Sequence, residues 1–234
     1  MEKPILFNTE MVRAILDGRK TQTRRLIRPQ PEGQLSYIMG GSNPGKWDYM
    51  SASEAKAWDV EENLICKQDD GSLWTPPCHA DDLLYVRETW SELYYVDPDG
   101  YTHYDRKMYF YAADGEPDIE LLDADGFLEE DQRIRWKPSI HMPKDAARIW
   151  LMVTNVRVQR LKDITEDDAL AEGASGGEYL DEQGNSMGIV WPHEDFSQIW
   201  DSTIKAEDIP LYGWDANPWV WVINFERLEG KHDD

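Results

Sequence analysis

Cysteine is scarce in this sequence: Cys66 and Cys78 are the two in 234 residues. Two thiols cannot make a disulfide framework, so a cross-linked secreted scaffold is excluded and a reducing compartment is expected. No run approaches the ~18 apolar residues that a membrane span needs, so no membrane partner is expected. No basic-then-apolar leader opens the chain either, and a cytoplasmic protein is the resulting expectation. Basic charge is also in short supply, with 24 Lys and Arg against 46 Asp and Glu, a formal −22. Such a surface repels a polyanion over most of its area, which excludes a general nucleic-acid coat. Internal repeats, low-complexity tracts and βαβ alternation are all absent. What is present is apolar material for a core. Hydrophobic residues make up 41% of the chain and Trp occurs eleven times, which rules out wholesale disorder.

Three well-patterned blocks stand between two poorly patterned ones. In residues 1–30, Pro4 to Phe7 reads as a short buried strand. Thr9 offers an N-cap to a helix whose face is Met11, Val12, Ile15 and Leu16, and Gly18 stands where that helix should stop. A second strand is expected from Thr21 to Ile27, with Thr21, Thr23, Arg25 and Ile27 on one face. This block carries a net +4, a basic island in a chain whose remainder is −26. Residues 31–80 are rich in Gly, Ser, Pro and Asp, and their length implies an insertion with packing of its own.

Leu83 to Trp90 reads as a strand, followed by a hairpin turning at Asp97-Pro98-Asp99-Gly100. Residues 113–132 hold nine carboxylates and no basic residue. Their spacing fits no calcium loop, and a solvated acidic loop is the reading. In the last block Ile149, Leu151 and Val153 alternate, then Val156 and Val158 continue on the other parity. One long strand with a bulge near Thr154 would do this. Thr165 and Asp168 open a short helix that ends near Glu172-Gly173. Phe196, Ile199, Trp200 and Ile204 mark an amphipathic helix, and Trp219 to Glu226 a closing strand. The expected fold is α+β: a small mixed β-barrel with flanking helices, one domain over residues 1–234, with insertions at about 31–80 and 91–135.

The densest constellation is Asp17-Gly18-Arg19-Lys20-Thr21-Gln22-Thr23-Arg24-Arg25. Lys20 lies where a helix gives way to a strand, and Thr23 is a nucleophile within reach of an amine base. Lysine serves as a base only if its pKa falls, and Arg19, Arg24 and Arg25 would push it down. A solvated basic turn or a phosphate clamp is the competing reading. Arg87-Glu88-Thr89-Trp90 closes a strand with a charged pair and an indole. Trp90 could stack a base while Arg87 contacts a carbonyl, or the group could be an ion pair beside a core Trp. In Lys137-Pro138-Ser139-Ile140-His141-Met142-Pro143 the prolines favour an extended segment. As a strand it would put Ser139 and His141 on one side, which suits pocket lining better than a nucleophile pair. Cys66, Cys78 and His79, with His103 or His141, match no common zinc spacing, and no metal is expected.

The string ILDGRKTQTRR resembles the opening motif of ASCH-domain proteins, which share a PUA-like barrel. It is closest to the segment that holds the catalytic lysine and threonine of bacterial N4-acetylcytidine amidohydrolases. Asp82-Leu83-Leu84-Tyr85-Val86 resembles a strand of that family. Leu161 to Glu172 resembles its helix, and WVWVINFERL its terminal strand. VRETW, KPSIHMP and NPWVWVI are similar to strings in larger ASCH proteins of bacteriophages and prophages. The likeness covers nearly the whole chain for the phage group and about a third for the amidohydrolases. The resemblance implies a PUA-like barrel and a cofactor-free hydrolysis by Lys20, Thr23 and Glu172, whose register it alone supplies. It departs where Asp81-Asp82 replaces the usual Gly-Asp and where the two insertions fall.

Two functions of different class follow, with a third behind them. The first is an amidohydrolase of N4-acylated cytosine nucleosides, its substrate held by Arg19, Arg24, Arg25, Arg87, Glu88, Trp90, Ser139 and His141. The second is a non-catalytic reader of RNA or modified bases. The third is an acidic phage protein that binds a host protein as a nucleic-acid mimic in the host cytoplasm. A small neutral nucleoside is the expected partner, and binding of generic DNA or RNA should be weak.

Overall fold

In chain order the elements are β1 (Glu2–Leu6), α1 (Thr9–Leu16), β2 (Gln22–Leu26), β3 (Leu35–Tyr37), β4 (Trp47–Tyr49), β5 (Leu83–Arg87), β6 (Trp90–Val96), β7 (Thr102–Tyr111), β8 (Trp150–Arg160), α2 (Glu166–Ala171), β9 (Gly177–Leu180), β10 (Ser186–Val190), α3 (Pro192–Ser202), α4 (Ile209–Tyr212) and β11 (Trp219–Leu228). The structure, a computed structural model, describes residues 1–31, 35–37, 47–49, 76–97, 99–119, 134–180, 183–184 and 186–229. Most of the 31–80 insertion and of the acidic stretch 113–132 lies outside the described residues. Several sheets and few helices make an α+β fold, as composition and pattern implied. The ladders are open and do not close into a barrel among the described residues. Among those residues no helix is long and apolar enough to cross a membrane.

The described chain divides into two compact units. The first comprises residues 1–18, 83–152 and 227 onward. There β1 runs parallel to β5, Ile5 opposite Val86, and β5 pairs antiparallel with the start of β8, Leu84 opposite Leu151. Helix α1 starts one residue earlier than its sequence suggested. Asn8, not Thr9, is the N-cap, its side chain accepting from the Met11 amide at 2.9 Å. Gly18, at φ +75°, follows the helix end in the left-handed region that a glycine stop requires. The expected Leu83–Trp90 strand is two strands, because the chain breaks at Glu88-Thr89 before β6. Strands β6 and β7 form the anticipated hairpin, and the Asp97 carboxylate accepts from the Asp99 and Tyr101 amides across its turn. Trp90, Met142, Ala146 and Ala147 form a buried cluster flanked by Tyr85, Tyr109 and Tyr111.

The second unit comprises residues 19–82 and 153–226. Its frame is β2 paired antiparallel with β11, flanked by the remainder of β8. Strand β8 is continuous, and its change of parity falls at Thr154 and Asn155, two consecutive exposed residues. Strand β11 is buried on both faces from Val220 to Ile223, so its apolar run is continuous rather than alternating. One face, Val220 and Val222, packs with Leu161, Ala169, Ala174, Phe196 and Trp200. Helix α2 is capped by Thr165, whose hydroxyl accepts from the Asp168 amide at 3.1 Å. Phe196 lies between this core and the Arg24 guanidinium, 5.7 Å from its ring centre. Phe196→Ala should therefore cost about 3–5 kcal/mol, the range for emptying a buried aromatic site. The midpoint of a denaturant titration would show it, and a loss under 1 kcal/mol would mean that the core collapses around the gap.

Candidate functional site

Helix α2 ends at Ala171 with its last carbonyls unsatisfied by the helix itself. The segment between α1 and β2 supplies the missing donors. The Thr21 amide donates to Ala171 O at 2.8 Å, Lys20 Nζ to Glu172 O at 2.7 Å, and an Arg19 guanidinium nitrogen to Gly173 O at 3.2 Å. Two cations at a helix C-terminus are also favoured by the helix dipole. This is the local reason why a basic turn near residue 20 meets a helix end near residue 172.

Lys20 goes further than a cap. Its side chain is 0% exposed, and Nζ also donates to the Glu172 carboxylate at 2.8 Å. The other oxygen of that carboxylate accepts from Arg24 at 3.1 Å, and the Arg24 side chain is fully buried too. Arg24 then reaches Asp168 at 2.9 Å and the side-chain amide oxygen Oε1 of Gln159 at 3.2 Å. Asp168 accepts in turn from Arg157, which also donates to Asn224 and Gln22. Charges thus alternate from the interior outward: Lys20, Glu172, Arg24, Asp168, Arg157. The last is about one-third exposed, at 35%.

The cluster contains more cations than carboxylates, and burial makes that imbalance felt. Desolvation drives the Lys20 amine below its ordinary value; Glu172 opposes the fall, while Arg25 and Arg24 add to it. Burial pushes the Asp168 carboxyl up, yet Arg24 and Arg157 together hold it below the usual carboxylate value. The chemistry available is that of an amine placed to lose a proton beside a carboxylate placed to receive or return one.

Thr23 is buried in β2 opposite Ile223 of β11. By strand alternation it faces away from Gln22 and Arg24, together with Arg25. Arg25 is half-buried. Lys20 precedes the strand, and its direction is set by Glu172 rather than by that alternation. Arg87, Glu88, Trp90, Ser139 and His141 belong to the first unit. There Glu88 is paired bidentately with Arg148, not with Arg87, at 3.0 and 3.1 Å. Arg148 also binds Asp114 and lies 3.9 Å over the Tyr111 ring. Arg87 donates to the Ile140 carbonyl at 3.3 Å. Trp90 is a core indole, 4% exposed, with Lys137 Nζ 4.9 Å over its ring. Ser139 and His141 sit in a short 3-10 turn rather than a strand, because the His141 amide folds back onto Pro138 O. Their side chains therefore do not share one side.

Sequence reasoning missed Asp168 as more than a capping residue, and missed Arg157, Gln159, Gln22 and Asn224 altogether. A signal existed for one of them: Asn224 is the polar break in the apolar run Trp219 to Phe225. Among the described residues no three His, Cys, Asp or Glu side chains converge as a metal site, and Cys66 lies outside those residues. Comparison of the chain with family models, curated proteins and solved structures gave no match in any of the three.

Two substitutions separate the partners of the buried pair. Glu172→Gln leaves Lys20 and Arg24 facing each other without a carboxylate and should cost about 3–5 kcal/mol, whereas Lys20→Met leaves Glu172 with Arg24 and should cost less. The two variants should also differ in pH behaviour. With the Lys20 pKa lower in the folded state, the unfolded chain binds more protons as pH approaches the ordinary lysine value of 10.5. Wild type should then gain stability relative to Lys20→Met as pH rises through the folded pKa. Parallel stability curves for the two proteins would refute the burial of a depressed amine.

Proposed function

We propose that this protein is an amidohydrolase of N4-acylated cytosine nucleosides or a related modified base, built on the PUA-like architecture that its motifs resemble. One observation carries the reading: a solvent-excluded lysine amine held 2.8 Å from a single buried carboxylate, with a buried threonine three residues along the chain. The resemblance to ASCH-domain amidohydrolases rests on Lys20, Thr23 and Glu172, and Lys20 and Glu172 are the two in contact here.

In this mechanism the neutral Lys20 amine removes the Thr23 hydroxyl proton as that oxygen attacks the acyl carbonyl. A Thr23 O–C bond forms and the carbonyl electrons move to oxygen. Cations in excess of carboxylates favour that developing negative charge. Collapse breaks the C–N bond, and the proton carried by Lys20 passes, directly or through Glu172, to the departing exocyclic nitrogen. Water then hydrolyses the threonine ester, giving the carboxylate of the acyl group and regenerating the hydroxyl. An uncharged nucleoside approaches the −22 surface without repulsion, whereas a strand of nucleic acid does not.

The test is incubation of the pure protein with N4-acetylcytidine while cytidine release is followed. Thr23→Val keeps the shape and deletes only the hydroxyl, so it should leave stability nearly intact and lower turnover by orders of magnitude. Full turnover in Thr23→Val would mean that water attacks directly. Turnover should change little between low and moderate salt. A wild-type protein that releases no cytidine and instead binds RNA tightly, with a steep salt dependence, would make it a reader rather than a hydrolase.

A further inference from the structure

The candidate site ends, on its outer side, in a carboxylate that the proposed hydrolysis does not use. Asp168 touches neither Lys20 nor Thr23 in any contact described above. It is 19% exposed, and both its oxygens are occupied by arginines, Arg24 from β2 and Arg157 from β8. An aspartate placed only to cap α2 would need none of this, because the capping contact is made by its backbone amide to Thr165. Nor is it the usual solvated acid of a first helical turn, as its exposed neighbour Asp167 is.

Arg24 is held at both ends of its guanidinium, by Glu172 on Nη1 and by Asp168 and Gln159 on Nη2. Its position therefore depends on Asp168 as much as on Glu172. A planar guanidinium fixed in this way can offer one N–H to one oxygen of Glu172. Released from Asp168, it could turn and take both oxygens bidentately, which would displace Lys20 Nζ from the second.

We propose that Asp168 is a positioning residue for the Lys20 site: by anchoring Arg24 it limits that arginine to one oxygen of Glu172 and so reserves the other for the Lys20 amine. The consequence for turnover rests on the reading of Lys20 as a base, whereas the geometry itself does not. The charged groups that bear on Lys20 are Glu172, Arg24 and Arg25, with Asp168 and Arg157 behind them. Removing the Asp168 charge raises the local positive potential and strengthens the claim of Arg24 on Glu172, and both effects loosen the Lys20 proton. Removing the Arg157 charge does the opposite.

The experiment is an NMR titration of Lys20 in the full chain labelled with ¹³C at lysine Cε, the resonance being identified by its loss in Lys20→Ala. Asp168→Asn should lower the Lys20 midpoint by roughly half a unit, less than the ~1–3 units of a directly contacting charge. Arg157→Gln should raise it. Asp167→Asn removes the same charge one residue away and should leave it unmoved, and Asp168→Glu should restore most of the wild-type value. Opposite shifts in Asp168→Asn and Arg157→Gln are the signature, because a merely loosened fold would move both in one direction. Equal shifts in Asp168→Asn and Asp167→Asn, or shifts of one sign in Asp168→Asn and Arg157→Gln, would overturn the inference. If Asp168→Asn does not fold, Arg157→Gln against wild type decides alone, and no rise overturns it. In turnover, the acid limb of the pH–rate profile should move with the midpoint, down in Asp168→Asn and up in Arg157→Gln. Should the wild type release no cytidine while the midpoints still move as stated, the positioning role stands and the hydrolase reading alone falls.

Discussion

Everything in the second unit turns on keeping a lysine amine out of water. A buried charge without partners is unstable by many kcal/mol, so Lys20 can be fully enclosed only because Glu172 meets it with both its carboxylate and its backbone carbonyl. The carbonyl is available because α2 stops there, and the carboxylate is oriented because Arg24 holds its other oxygen. Helix α2, its Thr165 cap and the pairing of β2 with β11 are the means by which two residues 152 apart in sequence come within hydrogen-bond reach.

The rest of the cluster grades that charge out to the surface. Each cation inward of Arg157 is met by a carboxylate, yet the carboxylates are fewer, and desolvation resolves the imbalance by weakening the hold of Lys20 on its proton. The chain as a whole has the reverse balance, a formal −22.

The first unit contains a useful contrast. Glu88 is as deeply buried as Lys20, and desolvation moves its carboxyl up, against the pull of Arg148. The bidentate Arg148 contact, the Asp114 contact and the stacking on Tyr111 hold that arginine in place. Such a pair ties the residue after strand β5 to the segment before β8.

Much of this was legible in the chain. The β11 run, the α3 face of Phe196 and Trp200, the Thr165 start of α2 and the Asp97 turn all follow from local rules. Each depends on residues a few positions apart. The basic island around Lys20 was visible as an anomaly of charge. Its partner was not, since Glu172 looks like any acidic residue near a helix end, and only a resemblance drew attention to it. Asp168 read as a cap because its sequence neighbours account for its amide and say nothing of its carboxylate. Likewise Trp90 and His141 could be placed at a strand end and between prolines, but whether they were covered could not. Local pattern sets which backbone forms and which side chains are apolar. The pairing of Lys20 with Glu172, of Arg24 with Asp168, and of Glu88 with Arg148 rather than Arg87 depends on contacts between distant segments. The first two are formed only when β2, β8, β11 and α2 pack, and the third when the end of β5 meets the segment before β8, because burial is a property of the packed chain and of no single stretch of it.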